Sequence, residues 1–372
     1  MRPLPVVGAV AGLGVATVAA AAAEAHAYRV VRHELTLGMR RVDANETRPR
    51  THLLAPGAVS VVLGAGSADP TTESAPRATR SAVGTNGTKS LRILHLSDTH
   101  FLPGQRGKAR FLASLASLEP DLVVFTGDIL ASDRAQGELM AGLDGLLGLP
   151  GVFVFGSNDY FGPAATNPLA YLLRPTNKAR RGRGLPWRSL RDALTAKGWH
   201  DLNNAACRLD VAGLTLDVRG TDDAHIGRDD YAAVAAAARS VVTAGRPEGA
   251  RTGGNCPTDG GGGADLVLGV THAPYARVLG AMADDGVRLV LAGHTHGGQI
   301  CLPWGAVVTN CDLPTGMAKG LHEYRPGRWL HVSAGIGSSP TFPLRLFCRP
   351  EACLLDVMLR PTGGVEPQML AE

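Results

Sequence analysis

The chain has 372 residues and a formal net charge of +4; 45% of it is hydrophobic, 5% aromatic, and 47 residues are glycine. That length exceeds what one hydrophobic core usually needs, but tails and insertions leave room for a single domain of about 250 residues. The mild positive charge suits an anionic substrate or a lipid headgroup, whereas scattered basic residues and few aromatics argue against a nucleic-acid-binding surface.

Pro5 to Ala23 is an uncharged run of 19 residues, long enough to cross a bilayer as a helix. It reads as a membrane anchor, or as a signal peptide cut near Ala25-His26-Ala27. Arg29, Arg32, Arg40 and Arg41 outweigh Arg2, which favours the cytoplasmic face for the C-terminal part of the chain. Gly64 to Ser90 is Gly, Ser, Thr, Ala and Pro with almost no large apolar side chains, so it is expected to be a linker. Gly245 to Gly263 reads as a flexible insertion, and the basic stretch Lys178 to Arg183 as a solvated loop.

Between these, short β-branched runs alternate with longer amphipathic segments. Leu91–Leu96, Leu122–Phe125, Val152–Phe155, Leu266–Leu268 and Val287–Leu291 are expected strands. Ala109–Leu118, Ala135–Leu147, Tyr231–Val242 and Tyr275–Ala283 are expected helices. The alternation predicts an α/β core with its sheet covered on both faces. Late strands near Trp329–Ser333 and Cys353–Leu359 are expected to complete a second sheet. Cys207, Cys256, Cys301, Cys311, Cys348 and Cys353 contain no CxxC pair and no zinc-type spacing. Cys348 and Cys353 flank a four-residue turn and could face each other across a hairpin, although ordinary buried thiols are the expectation.

Each expected strand ends in a potential ligand. In order these are Asp98 and His100 in Ser97-Asp98-Thr99-His100, Asp128 in Thr126-Gly127-Asp128, the turn Gly156-Ser157-Asn158-Asp159, His272 in Thr271-His272-Ala273-Pro274, and His294 and His296 in Gly293-His294-Thr295-His296-Gly297-Gly298-Gln299. Singly, any of these is an ordinary cap or loop residue. Jointly they point to one cavity, because open α/β sheets collect ligands beyond the carboxyl ends of their strands.

This order and spacing resembles the calcineurin-like metallophosphoesterase superfamily, and within it bacterial, often membrane-associated members related to lipid A precursor pyrophosphatases and cell-wall-associated phosphoesterases. The resemblance implies a four-layer α-β-β-α sandwich over residues 91–360, preceded by a hydrophobic anchor or uncleaved signal-like helix (1–28) and an extended segment with linker (29–90), and followed by a tail (361–372). It also implies two divalent metal ions, with Asp98, His100 and His296 on one, Asp128 bridging, and His272 and His294 with a third-loop amide oxygen on the other. Imidazole mixed with carboxylate suits manganese, iron or zinc.

The third loop departs from the superfamily's Gly-Asn-His-Asp. Without a gap, Ser157 takes the ligand place and Asn158 the histidine's; a local adjustment that lets Asn158 ligate is the better chemistry, since an amide oxygen is a better ligand than a neutral hydroxyl. The usual histidine is missing either way, which points to substrates with good leaving groups or to another acid; His225 in Gly220-Thr221-Asp222-Asp223-Ala224-His225 is a candidate, although a structural turn is the expectation for it. The expected activity is hydrolysis of a phosphoester or pyrophosphate bond by a two-metal-activated water, on a small or lipid-linked phosphate at a membrane. The rival is a scaffold or binding module. It fits less well, because burying several histidines and carboxylates together is costly without a cation.

Overall fold

The computed structural model describes residues 16–39, 87–163, 182–244 and 263–361. Most of the anchor-like run, most of the Gly64–Ser90 linker, nearly all of the basic stretch and the Gly245–Gly263 insertion, Cys256 and the tail lie outside the described residues.

Two six-stranded sheets form the framework. In the first, β1 (Arg29–Met39), β14 (Glu351–Pro361), β2 (Lys89–Leu96), β3 (Leu122–Thr126), β4 (Gly151–Val154) and β5 (His200–Asp201) lie side by side in that order. In the second, the order is β12 (Gly320–Arg325), β13 (Arg328–Val332), β9 (Leu289–Ala292), β8 (Leu266–Val270), β7 (Leu214–Gly220) and β6 (Ala205–Val211). A separate hairpin pairs β10 (Cys301–Leu302) with β11 (Gly305–Ala306). Strands β2, β3 and β4 run parallel, as do β7, β8, β9 and β13. β3, β4, β8 and β9 are apolar on both faces, the pattern of parallel strands covered on each side, whereas β7 buries Asp217 and Arg219 and β13 buries His331.

The side-chain alternation along each strand sets the layers. Leu94, Leu96, Val123, Phe125 and Phe153 face outward onto α2 (Arg106–Ser114), α3 (Gln136–Leu147) and α5 (Trp187–Thr195), meeting Leu112, Leu139, Leu143 and Leu190. One residue out of phase, Ile93, Val124, Val152 and Val154 face inward and meet Leu216, Val218, Leu268 and Leu291 of the second sheet. On the far side, Val267, Val290 and Leu330 meet Val278, Leu279 and Met282 of α7 (Ala276–Asp284). A shorter helix, α4 (Ser157–Tyr160), forms the third loop, and α6 (Tyr231–Ala244) packs beside β6 and β7. Three apolar interfaces thus separate four layers, helix, sheet, sheet, helix.

Several expectations change. Cys353–Leu359 belongs to β14 of the first sheet, pairing antiparallel to β2, and only β13 joins the second sheet. The extended stretch after residue 28 is not loose: Arg29–Met39 is β1, paired residue by residue with β14. Cys348 and Cys353 do not face each other across a hairpin, because Glu351 already starts β14; Cys348 packs with Cys301, and Cys353 points into the inter-sheet core. The five described cysteines are free thiols. Ahead of β1, residues 16–24 are helical (α1) and rest on the 345–348 loop, where Arg345 N–H donates to Ala21 O at 3.1 Å.

Candidate metal centre

The carboxyl ends of β2, β3 and β4 in one sheet meet those of β8 and β9 in the other, and the seven predicted ligand residues converge there. Asp98 Oδ1 lies 3.6 Å from His296 Nε2 and 4.0 Å from His100 Nε2. The two imidazole nitrogens are 3.1 Å apart. Asp128 stands between this group and the next, its Oδ2 3.4 Å from His100 Nε2 and its Oδ1 3.5 Å from His272 Nε2. His294 Nδ1 comes within 3.3 Å of His272 Nε2. Asn158 reaches Asp128 twice, from its backbone N–H at 2.9 Å and its side-chain Nδ2 at 2.6 Å. Ser157 Oγ approaches only Asn158 Nδ2, at 3.5 Å.

The backbone is bent to make this possible. Asp98, His100, Asp128, His294 and His296 all have positive φ, at 49°, 39°, 51°, 72° and 50°. Non-glycine residues adopt that region at a cost of roughly 1–3 kcal/mol each, and such strain gathers at functional sites. Two glycines make room: a Cβ at Gly156 would overlap Asp128 Oδ1, and one at Gly293 would overlap Ser97 Oγ and Asp98 Oδ2.

The donor atoms are prepared for a cation. His272 Nδ1 lies 2.7 Å from Thr126 O and His294 Nε2 3.1 Å from Asn310 O. A carbonyl only accepts, so each ring donates an N–H there and turns its other nitrogen toward the cavity, as metal-ligating histidines do. Asp98 Oδ1 is buried without a hydrogen-bond partner. Burial lowers the pKa of His100 to about 4 and holds His294 and His296 well below the usual range, so these rings are neutral donors. Burial raises Asp98 to about 6. For His272 burial acts downward, but Asp128, Asp98 and Asp223 outweigh it and lift the pKa to about 9. That pull on a proton is the pull a divalent cation would answer. The donor set therefore fits a metal ion, and the groups Asp98–His100–His296 and Asp98–Asp128–His272 each bring their ligand atoms within 4.8 Å of one another.

His225 also reaches this cavity. Its ring lies 4.5 Å from that of His294, its Nδ1 is 3.0 Å from the Tyr275 hydroxyl, and its N–H is held by Asp223 at 2.8 Å. Residues 164–181 lie outside the described set; Trp187 packs its ring on Phe155 and Tyr160 beside the third loop.

Sequence reasoning missed three contributors. The Gly335-Ile336-Gly337 turn after β13 walls the site, with Ile336 N–H on Ser97 O at 3.0 Å. Arg345, fully buried, binds that turn through Ala334 O at 2.7 Å and Gly337 O, its own loop through Cys348 O at 3.2 Å, and the His296 loop through His296 Nδ1 at 3.3 Å. Asp159 joins the second and third loops by accepting from Ile129, Leu130 and Gly156 N–H at 2.8–3.0 Å. Nothing in the local sequence around Arg345 marks it, since most of its partners are backbone carbonyls, which leave no residue-type signature.

Comparison with known proteins agrees with this geometry. The calcineurin-like phosphoesterase family model matches residues 91–298. The chain is 27% identical over 270 residues to the metallophosphoesterase YkoQ of Bacillus subtilis, covering 71% of this chain and 82% of that protein. It is 25% identical over 264 residues to YkuE of the same organism, covering 69% and 73%. It is also 25% identical over 279 residues to a transmembrane protein with metallophosphoesterase domain of Bos taurus, covering 73% of this chain but 54% of that one. A chain that matches the family over more than half its length, through the strand ends just described, belongs to the calcineurin-like phosphoesterases and is a metallophosphoesterase, a hydrolase that works with divalent metal ions.

Proposed function

We propose that the chain hydrolyses a phosphoester or pyrophosphate bond of an anionic, lipid-linked phosphate at a membrane surface, using two metal ions. Asp98, His100 and His296 hold one ion, His272, His294 and Asn158 the other, and Asp128 bridges them. The observation that carries this reading is the Asp128 carboxylate, which presents one oxygen to each group of imidazoles. When bound, two such ions about 3.5–4 Å apart offset phosphoryl charge and lower the pKa of an attacking water.

The protein's own groups do the rest. Asp128 sets the spacing and offsets the ions' mutual repulsion. Asn158 offers its amide to the same carboxylate, and a half-turn of that amide exchanges nitrogen for oxygen, as the two ends have the same shape. Burial keeps His225 neutral, and raises Tyr275 to about 12 so that its hydroxyl stays protonated. The Tyr275 hydroxyl then donates to His225 Nδ1, leaving Nε2–H to hydrogen-bond the leaving group in place of the missing third-loop histidine.

Manganese-supported hydrolysis of bis-p-nitrophenyl phosphate tests these roles together. Asn158→Ala is expected to lose on the order of 10²-fold in kcat/KM, a loss of several kcal/mol in charge stabilisation, while Ser157→Ala stays within about threefold. His225→Gln should cost on the order of 10²-fold, more with poorer leaving groups. The reverse order for Ser157 and Asn158 would move the ligand to the serine, and an unaffected His225→Gln would remove that residue from the reaction.

The membrane reading draws on an exposed apolar corner. Leu302, Trp304, Val307 and Phe347 are exposed, Trp304 by 81%. Phe347 sits at the C-terminal end of α1, with Glu24 accepting from Phe347 and Cys348 N–H at 3.0 and 2.7 Å. Among the described residues no helix is long and apolar enough to cross a membrane, and the Bos taurus relative is named as a transmembrane protein. The N-terminal segment is proposed to hold the domain at the cytoplasmic face, with the Trp304 hairpin in the headgroup region. Full-length protein should float with anionic vesicles, and a Trp304→Ser/Phe347→Ser variant should bind more weakly, on the order of tenfold. Equal flotation by both would exclude the hairpin from the contact.

A further inference from the structure

Behind the hydrolytic centre, on the inward faces of the sheets, lies a second group of ligand-type atoms that the reaction does not use. His33 of β1, Cys353 of β14 and His331 of β13 bring a ring nitrogen, a thiol sulfur and another ring nitrogen within 4.8 Å of one another. His33 is 7% exposed and the other two fully buried. His33 and Cys353 come from paired strands of the first sheet and His331 from the facing sheet, so the three close on one another across the inter-sheet core. Leu35, Leu91, Ile93, Leu289 and Leu355 line the same core, an environment in which uncompensated polar groups are costly.

Hydrogen-bond direction fixes which atom of His331 is free. Ser97 Oγ lies against Asp98 Oδ2, and a carboxylate only accepts, so the serine donates. Ser97 in turn accepts from the Thr126 hydroxyl at 2.7 Å. Thr126 Oγ1, its proton used, accepts from His95 Nε2 at 2.8 Å. Burial lowers His95 to about 3 and holds His331 well below the usual range, so both rings are neutral. His95 Nδ1 therefore accepts, and His331 Nδ1 donates to it at 2.8 Å. The lone pair of His331 is left on Nε2, an atom that is buried and without a hydrogen-bond partner.

We propose that His33, His331 and Cys353 form a third metal site, separate from the hydrolytic pair, that takes a thiophilic divalent ion of the zinc class. Two imidazoles and a thiolate are the soft, mixed set that selects such ions. Tetrahedral ligands at about 2.0–2.3 Å from the ion stand about 3.3–3.8 Å apart, so the group needs to contract by about 1 Å, within the reach of small side-chain rotations. Binding replaces the thiol proton: the S–H bond breaks, a sulfur–metal bond forms, and the proton leaves to solvent. The net positive charge that results faces Glu351, whose Oε1 is 3.8 Å from Cys353 Sγ. The burial of all three side chains makes the site structural, clamping β1 and β14 to β13. It also fixes the far end of the Ser97–Thr126–His95–His331 chain that orients Asp98.

Cobalt substitution of the full chain tests this without reference to turnover. The hydrolytic ligand set contains no sulfur, so a thiolate-to-cobalt charge-transfer band in the near ultraviolet reports on the third site alone. The wild type is expected to bind three cobalt ions per chain and show the band. Cys353→Ala should lose the band and one ion, whereas Cys348→Ala should keep both. A wild type that binds cobalt with no thiolate band overturns the proposal, as does a band that survives Cys353→Ala or disappears with Cys348→Ala. Should Cys353→Ala fail to fold, His33→Phe gives a second reading: an unchanged band and ion count in that variant overturn the assignment.

Discussion

Asp128→Asn should reduce kcat/KM for an activated phosphodiester by on the order of 10³-fold while leaving the fold intact. The substitution is isosteric, and an asparagine oxygen can still accept the Asn158 backbone N–H that Asp128 Oδ1 now accepts at 2.9 Å. What disappears is charge. Asp128 is 2% exposed, and His272 and His100, acting against burial, hold its carboxyl well below the usual carboxylate range, which shows how strongly this position favours a negative group. Without it, the two imidazole groups lose the carboxylate that spans them, and the charge available to offset two divalent ions falls from two carboxylates to one. Losing several kcal/mol of transition-state stabilisation corresponds to roughly a thousandfold at ~1.4 kcal/mol per factor of ten. Metal content should fall in parallel, to about one ion at the hydrolytic centre. Kinetics and metal analysis on the same preparation check this, and an Asp128→Asn enzyme as fast as the wild type would rule out the proposed bridging role.

Arg345→Leu should be the most destabilising single change in the site's surroundings, by roughly 3–5 kcal/mol. The guanidinium is fully buried and fans its donors over Ala334 O, Gly335 O, Gly337 O and Cys348 O. Leucine fills part of the volume but leaves these carbonyls unsatisfied, at about 1–3 kcal/mol for each that finds no water. Lysine should recover little, because one ammonium cannot reproduce the planar fork. For a domain of this size the melting temperature should drop by roughly 10 °C, at about 2–4 °C per kcal/mol. Metal affinity should fall too, since the same arginine holds the Gly335–Gly337 turn against Asp98 and Thr99. Thermal unfolding in excess manganese separates the two effects, and a variant that melts within about 2 °C of the wild type would show that the guanidinium is not what holds this turn.

The candidate metal centre was legible in the sequence because its residues follow closely on strand ends. A short apolar run ends and the chain turns; Asp98, Asp128, His272 and His294 lie two residues past their strands, and His100, Asn158 and His296 four. Parallel strands in an α/β sheet bring those turns to one edge whatever the helices do between them. The third loop was less clear. Composition could not decide between Ser157 and Asn158, whereas the single turn of α4 aims the Asn158 amide at Asp128 and leaves Ser157 beside it. The scaffold alternative weakened for a similar reason: the buried Asp98 Oδ1 without a hydrogen-bond partner and the cavity-facing nitrogens of His272 and His294 make sense with a cation.

Pairing between distant segments was beyond the sequence. β1 reads as a polar, arginine-bearing stretch, and only its neighbour β14 makes it a strand; β14 itself reads as a late strand without saying which sheet it joins. Sheet assignment depends on which edge is open after the central strands have paired, a property of the whole fold. The His33–His331–Cys353 group shares that origin, since its members are far apart in the chain, and so does the contact of Arg345 with His296, 49 residues away. Local order along the chain therefore marked the candidate ligands and the family, because strand periodicity and turn position are short-range properties. Only the tertiary structure decided what surrounds them, because closure of two sheets over one core is what brings a buried arginine to the His296 loop and two histidines to a thiol.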